Sequence, residues 1–332
     1  MKTIQDYQAE DTSHAKLQAS KEGLEHFVKS GFGLTAHWGL YAMGHSSNEW
    51  SYFLERIPYE TYKARMEHFN PTRFNAEEWA DLLLEIGAKF FFITSKHHDG
   101  FCLYDTAYTD FNIMNSPFKR DIIAELATAL RDRGIAFHFY YSLIDWTQKD
   151  YRTNWEKYLA FYQNQVRELC TNYGPIGGFV FDGYWPRNVL EGLDEERYFK
   201  AGGNWDLAGT YDLIHSLQPN AVITNNTHIL PLKGEDYQVC ELDLPGENTT
   251  GFNTTEIGNI PIASWWNLNV GWSYQPWQHK LRSAQSMFDV YEETRKRNGI
   301  FMLNVGPRPF GDIHPQEQMV LRDLGQRIRS AQ

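Results

Sequence analysis

Cysteine is scarce in this sequence, and the patterns that would give it a task are missing. Cys102, Cys170 and Cys240 stand far apart, and none belongs to a C-x-x-C pair. An odd, widely spaced set excludes a disulfide framework and a zinc knuckle. No apolar run reaches the ~18 residues of a membrane-spanning helix. The opening MKTIQDYQAEDTSHAKLQAS lacks the apolar stretch of a secretory signal. The expectation is a soluble, cytoplasmic protein of a reducing compartment, in which the sequons at Asn225, Asn248 and Asn253 carry no meaning. Basic charge is in deficit: 31 Lys+Arg face 42 Asp+Glu, a net charge of −11. That balance argues against nucleic acid or an anionic membrane as the main partner. Neither G-x-G-x-x-G after the first strand nor G-x-x-x-x-G-K-[ST] occurs, so the usual nucleotide signatures are absent.

What is present is ample material for a core. Of 332 residues, 42% are hydrophobic and 22% charged, which excludes global disorder. Aromatics reach 15%, with 11 Trp, and fit either a Trp-rich core or a wall that stacks on sugar rings.

Short apolar runs alternate with amphipathic stretches. Gly33–Trp38 reads as a strand. Asn75 can cap a helix in which Trp79, Leu82, Leu83 and Ile86 fall at i, i+3, i+4 and i+7, and Gly87 ends it. Lys89–Ser95 is a continuous apolar run, the mark of a strand covered on both faces. The unit repeats through strands at Ile135–Ser142, Gly177–Asp182, Ala221–Thr224, Tyr237–Leu242, Ile260–Trp266 and Ile300–Val305. Helices are expected near 122–130, 154–172, 206–217, 279–296 and 315–328. The pattern predicts an α/β fold, a (β/α)8 TIM-like barrel built as a single domain. A polar N-terminal segment, residues 1–20, precedes the barrel over 21–332; a doubly wound sheet is the alternative.

Chemistry in such a barrel sits at the C-terminal ends of the strands. Here those ends deliver His37-Trp38-Gly39, Lys96-His97-His98-Asp99-Gly100, Tyr140-Tyr141-Ser142 followed by Asp145-Trp146, Asp182-Gly183-Tyr184-Trp185, and Asn304-Val305-Gly306. Asp182 could be a helix cap, but it follows a dry run and precedes a glycine that permits close approach of a ligand. A catalytic carboxylate is the better reading. Trp38, Trp50, Trp146, Tyr184, Trp185 and Trp272 could form a stacking wall or pack the rim.

Two chemistries suit histidines with carboxylates and aromatics. A metal hydrolase would use His37, His97, His98 and Asp182. Against it, adjacent His97 and His98 should point to opposite sides of an extended chain, and no H-x-H or H-E-x-x-H spacing occurs. Glycoside hydrolysis needs a carboxylate pair, with histidines free to bind hydroxyls.

The blocks Phe32-Gly33-Leu34-Thr35-Ala36-His37-Trp38-Gly39, Glu49-Trp50, Lys96-His97-His98-Asp99-Gly100-Phe101, Phe181-Asp182-Gly183 and Leu303-Asn304-Val305-Gly306-Pro307, in this order, closely resemble the α-L-fucosidase family, family 29 of the glycoside hydrolases. The resemblance covers about residues 25–330. It implies a retaining exo-α-L-fucosidase that removes terminal fucose from a fucosylated glycan and needs no cofactor and no metal. Asp182 matches the family's nucleophile. His37, Glu49, Trp50, His97, His98 and Tyr141 match residues that hold the fucose ring, and Trp272 is the candidate surface for its methyl group. Many members also carry a C-terminal β-sandwich, which is not expected here.

One position departs from the pattern. Aligned on Pro261, Asn269 and Tyr274, the family's acid/base glutamate falls on Ala263, which cannot donate a proton. Three explanations compete: an acid/base knock-out, a general acid supplied from elsewhere with Glu241 or Glu247 nearest, or a catalytically inactive fucose-binding protein.

Overall fold

The continuous apolar runs of the sequence become buried strands. The computed structural model describes residues 16–44, 48–184, 205–277 and 280–331. Within them, eight strands form one parallel sheet: β1 (Phe32–Ala36), β2 (Phe90–Lys96), β3 (Ala136–Ser142), β4 (Gly178–Asp182), β5 (Val222–Asn225), β6 (Gln238–Glu241), β7 (Ile262–Asn267) and β8 (Ile300–Val305). Their order is β5-β4-β3-β2-β1-β8-β7-β6, a nearly closed barrel whose ends, β5 and β6, are not paired by a backbone ladder.

One backbone bond, from the Asp236 amide to the Ile223 carbonyl at 2.8 Å, and several side chains stitch that seam instead. Asp236 accepts from the Ile223 amide at 2.7 Å and from the Ala19 amide at 2.8 Å. Glu235 accepts from the amides of Asn225 and Leu232 at 3.1 and 3.0 Å, and the Thr224 hydroxyl donates to the Tyr237 carbonyl at 2.6 Å. Backbone groups that a neighbouring strand would have satisfied thus find carboxylate acceptors.

The longer helices follow local signals. They are α1 (Lys21–Ser30), α2 (Ala76–Ile86), α3 (Ile122–Asp132), α4 (Trp155–Thr171), α5 (Leu207–Leu217), α6 (Ala284–Lys296) and α7 (Pro315–Ser330). Asn75 caps α2 through the amides of Glu77 and Glu78, and Gly87, at φ 81°, closes it. The helix expected from residue 279 starts later, because Ser283 caps α6 by accepting from the Ser286 amide. Helix α1 was not foreseen from the sequence. Its Phe27 packs against Phe90 and Tyr237, with ring centroids 5.1 and 4.6 Å apart, under the barrel floor.

Strand parity decides what faces inward. Phe90, Phe92, Tyr140, Val180, Val222, Val239, Ala263, Trp265, Ile300 and Met302 share one buried cluster with Phe27, the filling of the barrel. The alternate residues, such as Phe91, Phe137, Phe139, Phe179 and Phe181, belong to the cluster under the helices. The next inward position toward the C-terminal end is therefore Asp182 on β4, Glu241 on β6 and Asn304 on β8.

Candidate active site

Asp182 closes β4 and is 7% exposed. The Tyr140 hydroxyl donates to its Oδ2 at 2.6 Å and the Gly183 amide to its Oδ1 at 2.6 Å. Gly183 sits at φ 89°, and a Cβ there would come within 2.6 Å of Ile144, so the residue after the carboxylate is glycine for two reasons. Burial, and then the charge of Glu241, push Asp182 up to about 7.

Glu241 ends β6, partly exposed to the same cavity. Its Oε1 accepts from the Asn226 amide at 2.5 Å. Burial raises its carboxyl to about 7, with the Asn226 bond opposing and the charge of Glu49 adding. Asp182 has two donors on its carboxylate and Glu241 one side-chain donor. Glu49, in a short 3-10 turn (Asn48–Trp50), accepts from the Ser273 hydroxyl at 2.8 Å and is also raised, chiefly by burial.

Two histidines are held in defined tautomers. Asn304 donates its amide to the Trp272 carbonyl at 2.6 Å, so its Oδ1 faces Thr35 and His37. His37 must then donate from Nδ1 at 2.7 Å, leaving Nε2 as an acceptor. The Ser142 hydroxyl gives its hydrogen to the Ile144 carbonyl at 2.6 Å. His98 therefore donates from Nδ1 to Ser142 at 2.6 Å, and its Nε2 lies 3.8 Å from Asp182 Oδ2. Burial holds both rings neutral: His37 falls to about 4 and His98 well below the ordinary value. His97 is likewise depressed by burial and by its neighbours His98, His37 and Lys96.

His37, Glu49, Trp50, His97, His98, Asp182, Asn226, His228, Glu241, Phe252 and Trp272 line one cavity of about 240 Å³. That lies below the roughly 300–1,000 Å³ of pockets for drug-sized ligands and suits a single sugar ring. A larger hollow of about 420 Å³, around Leu230–Glu235 and Gly258–Ile260, lies toward the N-terminal side of β6 and β7, away from these strand ends. Trp272 packs against His37 at 5.2 Å and Trp265 at 5.1 Å, and Trp50 meets His98 edge-on at 5.6 Å. Among the described residues, no three His, Cys, Asp or Glu side chains are grouped so as to hold a metal ion.

Several expected positions move. His97 and His98 do not diverge: β2 stops at Lys96, the chain turns, and both rings enter the cavity 4.2 Å apart. Tyr141 faces outward, fully buried under the helices. Its hydroxyl donates to Gln165 Oε1 at 2.7 Å, and its ring lies 4.6 Å from the Lys96 ammonium. The inward tyrosine is Tyr140. Ala263 lies near the start of β7, fully buried in the barrel filling between Val239 and Ile300 in register. It does not line the cavity. Glu247 pairs with Arg297 at 2.8 Å on the outer loop and is not a lining residue either. Trp185 lies outside the described residues. Asn226, His228 and Phe252 were missed, although Asn226 follows the run Ala221–Thr224 as the other strand-end polar groups follow theirs.

An inward carboxylate pair at the C-terminal mouth of a (β/α)8-like barrel, with neutral imidazoles and indoles around it, defines a glycosidase-like site. The α-L-fucosidase family model matches residues 1–330, and the chain belongs to that family. It is 31% identical to alpha-L-fucosidase 1 of Arabidopsis thaliana over 290 residues, 80% of this chain and 54% of that protein. It is 36% identical to the plasma alpha-L-fucosidase of Pongo abelii, covering 90% of this chain and 66% of the relative. The chain thus spans about half the length of the Arabidopsis relative. Among solved structures it resembles alpha-L-fucosidase isoenzyme 1 from Paenibacillus thiaminolyticus (TM-score 0.79, 31% identity, 93% of this chain and 76% of that one). It also resembles a Bacteroides thetaiotaomicron family 29 alpha-L-fucosidase trapped as a covalent intermediate with 2-fluoro-fucosyl fluoride (TM-score 0.79, 25% identity, 99% and 78% covered).

Proposed function

We propose that this chain hydrolyses terminal α-L-fucosides with retention of configuration, using Asp182 as nucleophile and Glu241 as acid/base. The observation that carries the reading is the pairing of these two inward carboxylates over one sugar-sized cavity, with the charge of Glu241 raising the affinity of Asp182 for protons. In the first step Asp182 attacks the anomeric carbon, and Glu241 gives its proton to the leaving oxygen. In the second, Glu241 takes a proton from water as the water displaces Asp182. Tyr140 holds Asp182 in place. Nε2 of His37 and of His98 accept from sugar hydroxyls, which are both donors and acceptors. Trp272 offers an apolar face to the methyl group.

Glu241 is preferred over Glu49 as the acid because its charge acts directly on Asp182. A sugar-binding role without catalysis was motivated by Ala263, which does not reach the cavity. The test is exposure to 2-fluoro-fucosyl fluoride followed by peptide mass analysis. A fucosyl adduct on Asp182, together with turnover of an aryl fucoside, is expected. Labelling elsewhere, or no turnover, would overturn the reading.

A further inference from the structure

A cavity for one sugar leaves open where the rest of the substrate goes. The oxygen that Glu241 protonates is the one joining fucose to its leaving group, so the leaving group must lie on the Glu241 side. The loop between β6 and β7 stands there, and it is tied to Glu241 itself. Asn253 Oδ1 accepts from the Glu241 amide at 3.1 Å, and Asn253 Nδ2 donates to the Glu241 carbonyl at 2.8 Å. The same Nδ2 donates to Asp243 Oδ2 at 2.7 Å, and Asn253 Oδ1 lies 3.2 Å from His228 Nδ1.

Asp243 gathers the loop further. It accepts from the amides of Thr249 and Thr250 at 3.0 and 3.3 Å and from both threonine hydroxyls. Phe252, next to Asn253 and after Gly251 at φ 89°, is thus presented by a fixed scaffold. It lines the cavity, yet 40% of it is exposed. Its ring meets His228 edge-on, centroids 4.7 Å apart. His228 itself is held at φ 60°, where a residue with a Cβ is rarely kept without reason.

Single exposed hydrophobics are ordinary on a protein surface, but Phe252 differs from the more exposed Trp277 and Phe310 in lining the cavity beside Glu241. We propose that Phe252, braced by His228 and Asn253, is the contact surface for the leaving group. The structure then selects leaving groups that present a ring face, a pyranose or an aryl group. This rests on the assignment of Asp182 and Glu241 above.

The test compares a fucosyl disaccharide with fucosyl fluoride, whose leaving group has no ring, in the wild type and in Phe252→Ala, Phe252→Leu and Phe252→Tyr. In Phe252→Ala, kcat/KM for the disaccharide is expected to fall roughly five- to tenfold, the size of one ring contact, with a clearly smaller loss on fucosyl fluoride. Phe252→Leu should stay low and Phe252→Tyr should recover. Equal losses on both substrates, or no loss on either, would overturn the role of Phe252 while leaving the nucleophile assignment intact. A wild type that neither hydrolyses fucosyl fluoride nor takes the 2-fluoro-fucosyl label on Asp182 would remove the underlying reading, and this one with it.

Discussion

The Tyr140 hydroxyl donates to Asp182 Oδ2 at 2.6 Å across adjacent strands β3 and β4. Tyr141, one residue on, faces the helices and donates to Gln165. Adjacent tyrosines therefore have separable effects. Tyr140→Phe should lower kcat on an aryl fucoside by roughly 10–100-fold, the loss of one charge-assisted hydrogen bond. Tyr141→Phe should leave kcat within a few-fold and lower the melting temperature, because Gln165 loses a buried partner. Steady-state kinetics with thermal melts of both variants checks this; the reverse pattern would contradict the parity.

Asp182→Gly should abolish turnover by several orders of magnitude while the protein stays folded, because it removes a nucleophile and also one of two mutually repelling buried acids. Azide entering the vacated space should give the β-fucosyl azide.

Glu241→Ala should cripple substrates whose leaving group needs a proton by roughly 10²–10⁴-fold, while aryl fucosides and fucosyl fluoride still form the Asp182 intermediate. Azide, which needs no base, should then release the retained α-fucosyl azide. Product anomeric configuration read by NMR separates the two roles; a β product from Glu241→Ala would exchange them.

The pair also fixes two pH dependences. Activity needs one proton on the pair, so kcat/KM should be bell-shaped around neutrality, and Glu241→Gln should remove the alkaline limb. For stability the sign runs the other way from a salt-bridged acid. Both carboxyls bind protons more tightly folded than unfolded, where they titrate near 4. Their contribution is full below about pH 4 and is lost as pH rises through about 7. Glu241→Gln should therefore raise the melting temperature more at pH 8 than at pH 5, by roughly 1–2 °C for each kcal/mol relieved. Equal shifts at the two pH values would contradict it.

Ala263→Glu should not create activity. It places a carboxyl in the closed filling beside Val239 and Ile300, with no water to reach it, at a cost of several kcal/mol. A soluble, equally stable variant with enhanced turnover would show that position 263 reaches the cavity after all.

The strands were legible because runs such as Lys89–Ser95 are apolar throughout, as sheets covered on both faces require. That same property hid the parity of Tyr140 and Tyr141, since both faces of β3 are buried and aromatic. Asp182 and His37 stood out as polar groups following dry runs. Glu241 was only a neighbouring candidate, because the segment around Ala263 was matched by motif across a variable loop, and motif spacing does not say at what height along a strand a residue sits. Helix α1 carried local signals that were passed over, Ser20 as its cap and Gly31 as its stop, whereas the seam was invisible because it depends on side-chain acceptors between β5 and β6, such as Asp236 with the Ile223 amide.

That seam bears on Glu241. The Asn226 amide that holds Glu241 joins the residue just after β5 to the last inward position of β6, above the bonds made by Asp236 and Thr224. It is the top fastening of a wall that has no ladder to hold it shut. Glu241, proposed as the acid, is thus also a clasp between the two loose edges of the sheet, and a carboxylate accepts the Asn226 hydrogen bond more strongly than a protonated carboxyl does.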